Sequence, residues 1–265
     1  MYPSKFLGAA TATLLAVSAH AAPVLPSVVG GGWTSDRYEP ASWSNVGSFQ
    51  GRTNVLGIGI NDSTNQANRP GAFSSSFYNT QGRQIGVNGN TGDSIAADLF
   101  LDANWANANS GFVRTDLWGR SVDAVETDAS YPIIGFTNFG SGPRLRVFDG
   151  QAAGGWVDLT TNLTGLFGTW VAFGIEATTN GYDFFVNGAM VYSDNTLTAG
   201  GGFSRGFLQA RNFNSTFDGV TGNPAYTAHW SDPVRLAVPA PGTLALAGLA
   251  LTLLASAGQR RRLAA

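Results

Sequence analysis

Residues 169–188 read Thr-Trp-Val-Ala-Phe-Gly-Ile-Glu-Ala-Thr-Thr-Asn-Gly-Tyr-Asp-Phe-Phe-Val-Asn-Gly, and this stretch decides the fold. Val171, Phe173 and Ile175 alternate with small or polar residues, which is the period of two that a half-buried strand shows. A second bulky run ends at Asn187-Gly188, which indicates a tight hairpin because both central positions of a type I′ turn need positive φ. The stretch therefore predicts two neighbouring antiparallel strands and a hairpin to a third.

The same strand-like pattern recurs along the rest of the chain. Ser94–Leu101 is clearly alternating, and Phe112–Trp118 carries bulk on both faces, so we expect the second of these strands to be central in its sheet. About a dozen short strands with no sustained 3.6 period predict an all-β fold of two antiparallel sheets. The remaining predicted strands are 55–60, 73–78, 84–87, 132–138, 144–148, 156–159, 170–177, 182–186, 190–192, 206–212 and 226–237.

Composition excludes several kinds of chemistry. The chain has no cysteine, which removes thiol catalysis and cysteine-bound metals. His229 is the only histidine after residue 22, so a HExxH site is excluded, and both the G-x-x-x-x-G-K-[ST] and G-x-G-x-x-G motifs are absent. Between residues 23 and 237 there are 11 arginines and 17 acidic residues, a formal charge of −6. That balance disfavours nucleic acid as a partner.

The N-terminus has the pattern of a secretory signal peptide. Lys5 precedes the apolar run Phe6–Ala19, and Ala19-His20-Ala21 offers an A-x-A cleavage site. We therefore expect residues 1–22 to be a signal peptide that forms a helix and is removed on export. Residues 23–237 then form one domain, which is an ordinary size for a β-sandwich.

The C-terminus, residues 238–265, has three parts in order. Val238-Pro239-Ala240-Pro241 comes first, an uncharged run follows at 242–258, and Arg260-Arg261-Arg262 closes the segment. The run is long enough for a transmembrane helix, and the arginines favour the cytoplasmic side. The segment resembles the bacterial PEP-CTERM sorting signal, although Ala240 stands where that signal usually has Glu. The resemblance implies an exosortase as partner, with a protein that is exported, anchored in the membrane before processing, and then held at the cell surface or in the extracellular matrix.

The opening stretch also resembles a known pattern. Trp170 at the start of one strand and Phe185-Val186-Asn187-Gly188 at the end of the next are similar to the laminin-G and pentraxin pattern of the concanavalin A-like lectin/glucanase family. The resemblance implies a two-sheet antiparallel jelly roll. It also implies a test for catalysis, because related glucanases carry Glu-x-Asp-x-x-Glu on one strand. Residues 126–131 begin that motif but place Tyr131 at its last position, so we interpret Asp123, Glu126 and Asp128 as a solvated acidic loop.

Two other catalytic arrangements have candidate residues in the sequence. A Ser-His-Asp hydrolase would need His229, but no serine has a G-x-S-x-G context, so we interpret His229 as structural. A lyase of this fold would need a basic or tyrosine cluster on a concave face. The candidates for that cluster are Arg114, Tyr131, Arg144 and Arg146, and the alternative is that these arginines lie on edge strands.

Sugar binding would use aromatic platforms beside planar polar groups. The predicted ligand-binding residues are Trp105, Trp118, Arg120 and Tyr131, with Trp33, Asp36 and Arg37 as a second cluster, while Trp170 is assigned to the core. Calcium is the possible cofactor, because the resemblance implies loop sites with oxygen ligands. The predicted metal ligands are Asn61, Asp62, Asn90 and Asp93, and the alternative is that these residues only serve turns.

The sequence thus predicts an exported β-sandwich protein that binds carbohydrate, with polysaccharide as its partner. Because the glucanase motif is incomplete, we do not expect an enzyme of that type. Two alternatives stay open. One is a hydrolase or lyase that acts on glycans, and the other is a structural matrix protein, which would lack an aromatic groove.

Overall fold

The computed structural model describes residues 25–61, 69–107, 111–122, 128–150, 152–196, 202–213, 219–220 and 225–232. Within these ranges the chain forms fifteen β-strands and three short 3-10 helices, at Gly71–Phe73, Ser76–Asn79 and Ala103–Ala106, and no α-helix. The strands are β1 (Thr34–Ser35), β2 (Ser42–Phe49), β3 (Arg52–Ile60), β4 (Thr80–Gly86), β5 (Ser94–Leu101), β6 (Arg114–Val122), β7 (Asp128–Ser130), β8 (Ile133–Thr137), β9 (Arg144–Phe148), β10 (Trp156–Asp158), β11 (Thr169–Ala177), β12 (Tyr182–Val186), β13 (Ala189–Asp194), β14 (Phe203–Arg211) and β15 (Tyr226–Ser231).

The strands form two antiparallel sheets, which confirms the predicted all-β sandwich. The eight-stranded sheet has the order β1-β4-β14-β6-β8-β9-β10, with β7 paired to β6. The seven-stranded sheet has the order β13-β12-β11-β5-β15-β3-β2. Several neighbouring strands are far apart in sequence, such as β14 beside β4 and β15 beside β3, and this arrangement is consistent with a jelly roll.

The hydrophobic core lies between the two sheets. Leu117 and Leu208 enter it from the eight-stranded sheet, and Leu99 and Phe173 enter it from the seven-stranded sheet, each at most 1% exposed. Burial of each such side chain contributes about 1.5–3 kcal/mol. Trp230 is also fully buried there, and its indole Nε1 donates a hydrogen bond to Thr115 Oγ1 at 3.0 Å, which joins β15 to β6 across the core.

The strand alternation predicted from the sequence is observed in the sheets. In β5, Ile95 and Leu99 point into the core as expected. β6 is central, because it pairs with β14 on one side and β8 on the other. The predicted hairpin is present at Asn187 and Gly188, whose φ values are 51° and 80°. The Asn187 carboxamide accepts a hydrogen bond from the backbone N–H of Ala172 at 2.9 Å, so the turn is also attached to β11.

Two local predictions are wrong. Residues 73–78 were expected to be a strand, but they lie in two 3-10 turns closed by hydrogen bonds from Phe73 N to Pro70 O and from Tyr78 N to Ser75 O. β2 was not predicted, because it is a polar edge strand that buries little apolar surface and bulges at Gly47, where φ is 77°.

The predictions for the two termini concern residues outside the described ranges. These are the signal peptide at 1–22, the sorting motif from Val238 and the basic cluster that begins at Arg260. In the part of the chain that the structure describes, no helix has the length and apolar character needed to cross a membrane.

Candidate binding groove

The outer face of the eight-stranded sheet carries a groove of about 820 Å³. Its side chains come from alternate positions of the strands whose other positions fill the core. In β6, for example, Leu117 lies in the core while Trp118 belongs to a separate apolar cluster on the groove side. In β14, Leu208 likewise lies in the core while Phe207 belongs to the cluster on the groove side. The period of two in these strands therefore builds the core and the groove together.

An apolar row crosses the floor of the groove. The register of five strands places Phe207, Trp118, Ile133, Phe148 and Trp156 directly opposite one another in that order. The ring centroids of Phe207 and Trp118 are 6.3 Å apart, and those of Phe148 and Trp156 are 5.2 Å apart. Phe207, Trp118 and Ile133 are at most 6% exposed and Phe148 and Trp156 are half-buried, so the row forms a closely packed apolar floor.

A charged row lies two residues further along the same strands. It contains Asp116 on β6, Gly135 on β8 and Arg146 on β9, again in register. Arg114 Nε donates to Asp116 Oδ2 at 2.7 Å, and the Asp116 side chain is fully buried. Gly135 is needed at this point, because a Cβ there would overlap a carboxylate oxygen of Asp116. The absent side chain thus makes room for the buried ion pair.

Two guanidinium groups lie over the ring of Trp156. The Cζ atom of Arg146 is 3.8 Å from the ring centroid, and that of Arg114 is 4.5 Å from it. Burial lowers the pKa of Arg114, although the Asp116 carboxylate opposes this change. Burial, with a further contribution from the charge of Arg114, lowers the pKa of Arg146 to about 10. Arg146 therefore stays charged at neutral pH while it is held in a poorly solvated position.

Three buried polar atoms near the floor have no hydrogen-bond partner among the described residues. They are Asp116 Oδ1, Arg146 Nε and Trp118 Nε1. An unsatisfied buried donor or acceptor costs about 1–3 kcal/mol.

Gln209 of β14 is directly opposite Asp116 in the register and is the centre of a polar network. Its Nε2 donates to Asp36 Oδ2 at 3.1 Å, and its Oε1 accepts from Arg37 Nη2 at 3.3 Å. Asp36 and Arg37 form an ion pair at 2.8 Å. Burial raises the pKa of Asp36, and the positive charge of Arg37 opposes that shift. Next to this network, Arg205 Nη1 donates to Gln84 Oε1 at 2.6 Å.

Three of the four predicted ligand-binding residues line the groove together. Trp118, Arg120 and Tyr131 all contribute to its wall. Tyr131 is 37% exposed, and its ring centroid is 6.3 Å from that of Phe207. Trp105 is not with them. It lies in the core, 6% exposed, with its ring stacked on Phe136 at 5.6 Å.

The predicted second cluster, Trp33, Asp36 and Arg37, is also only partly in the groove. Asp36 and Arg37 line the groove, whereas Trp33 packs into the core and donates from Nε1 to Ser27 O at 3.0 Å. Of the arginines considered for a lyase, Arg114 lies on central β6 and Arg146 on β9, which is flanked by β8 and β10. Neither arginine is on an edge strand.

The predicted metal ligands show turn contacts. Asp93 Oδ2 accepts a hydrogen bond from the backbone N–H of Asn90 at 2.8 Å, and Asp93 N donates to Asn90 O at 3.0 Å. Asn61 is the last described residue before a gap, and Asp62 lies outside the described ranges. Among the residues that the structure describes, no three His, Asp or Glu side chains come together as a metal site would require. Calcium remains a prediction.

The residues considered for catalysis do not assemble in the described part of the groove. Glu126 lies outside the described ranges. His229 is on the outer face of the other sheet, where its ring stacks on Phe49 at 3.9 Å and burial lowers its pKa. Trp170, which was assigned to the core, is half-buried on that same outer face and lies under Arg52 at 4.5 Å.

Several groove residues were missed in the sequence. Phe207, Arg205 and Arg211 come from β14, and Trp156 comes from β10. The strand predicted at 206–212 did contain the signal, because Phe207 and Arg211 fall on the same side of an alternating strand. What the sequence did not provide was the pairing of β14 with β6, since these strands are separated by about 80 residues of chain.

No family model and no curated protein matches this chain. Among solved structures it is similar to a native glycosidic hydrolase, with 13% identity and a TM-score of 0.44 over 82% of this chain and 95% of that one. It is similar to a β-glucanase of Bacillus licheniformis, with 10% identity and a TM-score of 0.42 over 76% and 91% of the two chains. A tetrameric galectin from the sponge Cinachyrella sp. shows 11% identity and a TM-score of 0.33 over 56% and 96%.

The assignment of the fold rests on the two observed sheets and not on these distant likenesses. The sheets and the site define a two-sheet antiparallel β-sandwich with an aromatic, arginine-rich groove on one outer face.

Proposed function

We propose that this protein binds carbohydrate in the groove of the eight-stranded sheet. The observation that carries the proposal is the apolar row from Phe207 to Trp156, which lies between side chains with planar hydrogen-bonding groups. Sugar rings present apolar C–H faces and polar hydroxyl edges. A mostly apolar cleft with a few fixed polar groups suits both parts of such a ligand.

Binding without cleavage is the function that the described acids support best. Asp36 and Asp116 are acids on the groove side, and each forms an ion pair with an arginine. A hydrolase needs one carboxyl group that can donate a proton and a second, ionised one at a defined distance. Both carboxylates are instead held by arginines at 2.8 and 2.7 Å, so their oxygens serve the ion pairs of the groove.

A glycan lyase or hydrolase is the second candidate. The observation that favours it is Tyr131, which is 37% exposed and lines the groove together with Arg120. A tyrosine beside cations is a combination that can take part in proton transfer. Release of shorter products from a bound polysaccharide would distinguish this function from binding alone.

The test compares two tryptophans that share an environment but lie on different sheets. Trp156 is half-buried in the groove under Arg146, and Trp170 is half-buried on the outer face of the seven-stranded sheet under Arg52. Affinity electrophoresis of the full-length protein in mild detergent, through gels that contain single polysaccharides, would measure binding. We expect Trp156→Ala to weaken retention about tenfold or more and Trp170→Ala to change it less than twofold.

Circular dichroism of both variants shows whether the sheets are intact. Equal retention of the two variants, or no retention of the unaltered protein on any acidic or neutral polysaccharide, would refute the proposal.

The site of action is also part of the proposal. We propose that the protein is exported and sorted through an exosortase to the cell surface or matrix, supported by the signal-like residues 1–22 and the tail from Val238. Sequencing of the mature N-terminus and the mass of the protein isolated from its host test both steps. An intact chain of 27.7 kDa in the cytoplasm would contradict them.

A further inference from the structure

The groove is cationic although the chain as a whole is weakly acidic. Five of its lining residues are arginines, and one, Asp36, is an aspartate, which leaves an excess of four positive charges. Asp116 and Arg146 lie beside the groove on the same face and cancel each other in this count. The formal net charge of the whole chain is −2. Cations are therefore concentrated on this face.

The arginines lie on both sides of the apolar row. On one side, Arg205 of β14 is directly opposite Arg120 of β6 in the sheet register. On the other side are Arg114 and Arg146, which share the ring of Trp156. Like charges at opposite positions of paired strands repel one another. An anion near either pair would reduce that repulsion.

Arg146 and Arg205 have no carboxylate partner among the described residues. The Nε atom of Arg146 is buried without a hydrogen bond, and Arg205 donates to the neutral Gln84. Burial, which keeps water from its charge, lowers the pKa of Arg146. A guanidinium group binds carboxylate and sulfate groups through charge-assisted hydrogen bonds, which are stronger than neutral ones.

We infer that the groove takes an anionic polysaccharide, whose sugar faces lie on the apolar row and whose acidic groups pair with the flanking arginines. The inference rests on the proposed carbohydrate-binding function and adds the charge class of the ligand. The acidic group is the carboxylate of a uronic acid or a sulfate ester, and both share the chemistry that arginine recognises.

The first experiment compares each acidic polymer with a neutral polymer of the same backbone. Polygalacturonate is tested against its carboxyl-reduced form, and dextran sulfate against dextran, by titration calorimetry with the full-length protein in detergent. At low salt we expect at least one acidic polymer to bind about tenfold tighter than its partner. Added salt should weaken only the acidic one, because mobile ions screen the charges. The polymer that binds tighter identifies the acidic group as carboxylate or sulfate.

The second experiment removes single arginines. Arg146→Gln and Arg205→Gln are each expected to lower the affinity for the acidic polymer about fivefold to tenfold and to lower the affinity for the neutral polymer less. The matched control is Arg83→Gln. Arg83 also lies over a tryptophan, with its Cζ atom 5.4 Å from the ring of Trp43, but it does not line the groove, and its partner is Glu39. We expect Arg83→Gln to bind both polymers as the unaltered protein does.

The outcomes separate this inference from the proposed function. If neutral and acidic polymers bind equally, the charge class is wrong and carbohydrate binding stands. If no polymer binds, the proposed function fails and the inference fails with it. If acidic polymers bind but neither groove variant weakens them, the ligand lies elsewhere and the inference is overturned. A single-stranded oligonucleotide that competes as well as the acidic polymer would show that the groove recognises negative charge alone, which also overturns it.

Discussion

The buried ion pair of Arg114 and Asp116 should affect stability and ligand affinity in opposite directions. Their side chains are 10% and 0% exposed, so the substitution Asp116→Asn leaves the guanidinium charge without its counter-charge in a desolvated position. Removal of one partner of a buried pair costs about 3–5 kcal/mol. Since the Asn carboxamide still accepts a hydrogen bond from Arg114, we expect the lower end of that range, about 3 kcal/mol of unfolding free energy.

The same substitution makes the groove more positive by one charge. We therefore expect the affinity for an acidic polysaccharide to rise about threefold to tenfold at low salt, while stability falls. Urea denaturation gives the change in unfolding free energy, provided that the slope of the transition is unchanged. Titration calorimetry at a temperature where both proteins are folded gives the affinity.

The control is Glu39→Gln, which makes the same chemical change in the exposed pair of Glu39 and Arg83. These side chains are 49% and 30% exposed, so the loss should be only about 0–1 kcal/mol. A loss for Asp116→Asn no greater than that of the control would show that Asp116 does not stabilise a buried cation. A fall in affinity for the acidic polymer would show that Asp116 contacts the ligand directly, and the electrostatic reasoning would be refuted.

Two further predictions concern Gly135 beside the groove and the hydrogen bond between Tyr192 of β13 and Asp149. Gly135→Ala should lower the unfolding free energy by about 2 kcal/mol or more, because the new Cβ would overlap Asp116. The control is Gly86→Ala, where no atom lies within 4 Å of the new Cβ, and it should change the unfolding free energy by about 0.5 kcal/mol or less. Urea denaturation measures both changes. Tyr192 donates a hydrogen bond to Asp149 Oδ2 at 2.6 Å, which raises the pKa of Tyr192 to about 12 from 10.0. The folded state thus binds the proton more tightly than the unfolded state, so this stabilisation is complete below pH 10 and is lost as the pH rises towards 12. Tyr192→Phe should lose about 0.5–1 kcal/mol at neutral pH, because solvent screens this partly exposed hydrogen bond, and less at high pH; a loss that does not depend on pH would contradict this assignment.

Much of the fold could be predicted because most strands carry two sequence signals, which are alternating apolar residues and turn residues at both ends. β5, β9 and β12 have the predicted bounds, since their apolar residues alternate and turns flank them. β2 shows the limit of this reasoning. It is held at the sheet edge by backbone pairing with β3, and its sequence Ser-Trp-Ser-Asn-Val-Gly-Ser-Phe buries too little apolar surface to show a pattern. Backbone hydrogen bonds to a neighbour stabilise such a strand without any requirement on its side chains.

The candidate site could be predicted only in part, because its residues come together through strand order and register. Alternation within β6 separates Arg114 and Trp118 from the core residues, and this is visible in the sequence. The position of Arg146 and Trp156 beside them depends on the order β6-β8-β9-β10 and on the register of each pair. A shift of one residue in any of these pairs would turn one strand's groove residues into the core. Local sequence does not carry that information.

The two arginine–tryptophan stacks of the protein show why one outer face is the better candidate for binding anions. On the seven-stranded sheet, Arg52 lies over Trp170, and its Nη1 donates to Asp98 Oδ2 at 2.5 Å and to Ser231 Oγ at 2.6 Å. That cation is neutralised within the protein. On the eight-stranded sheet, Arg146 lies closer to its tryptophan and forms no salt bridge within the described ranges, although Asp158 is directly opposite it and the charges of Asp116 and Asp158 favour its charged form. Within the described ranges, Arg52 is therefore held by a salt bridge of its own, whereas Arg146 lies beside the groove of the eight-stranded sheet without one.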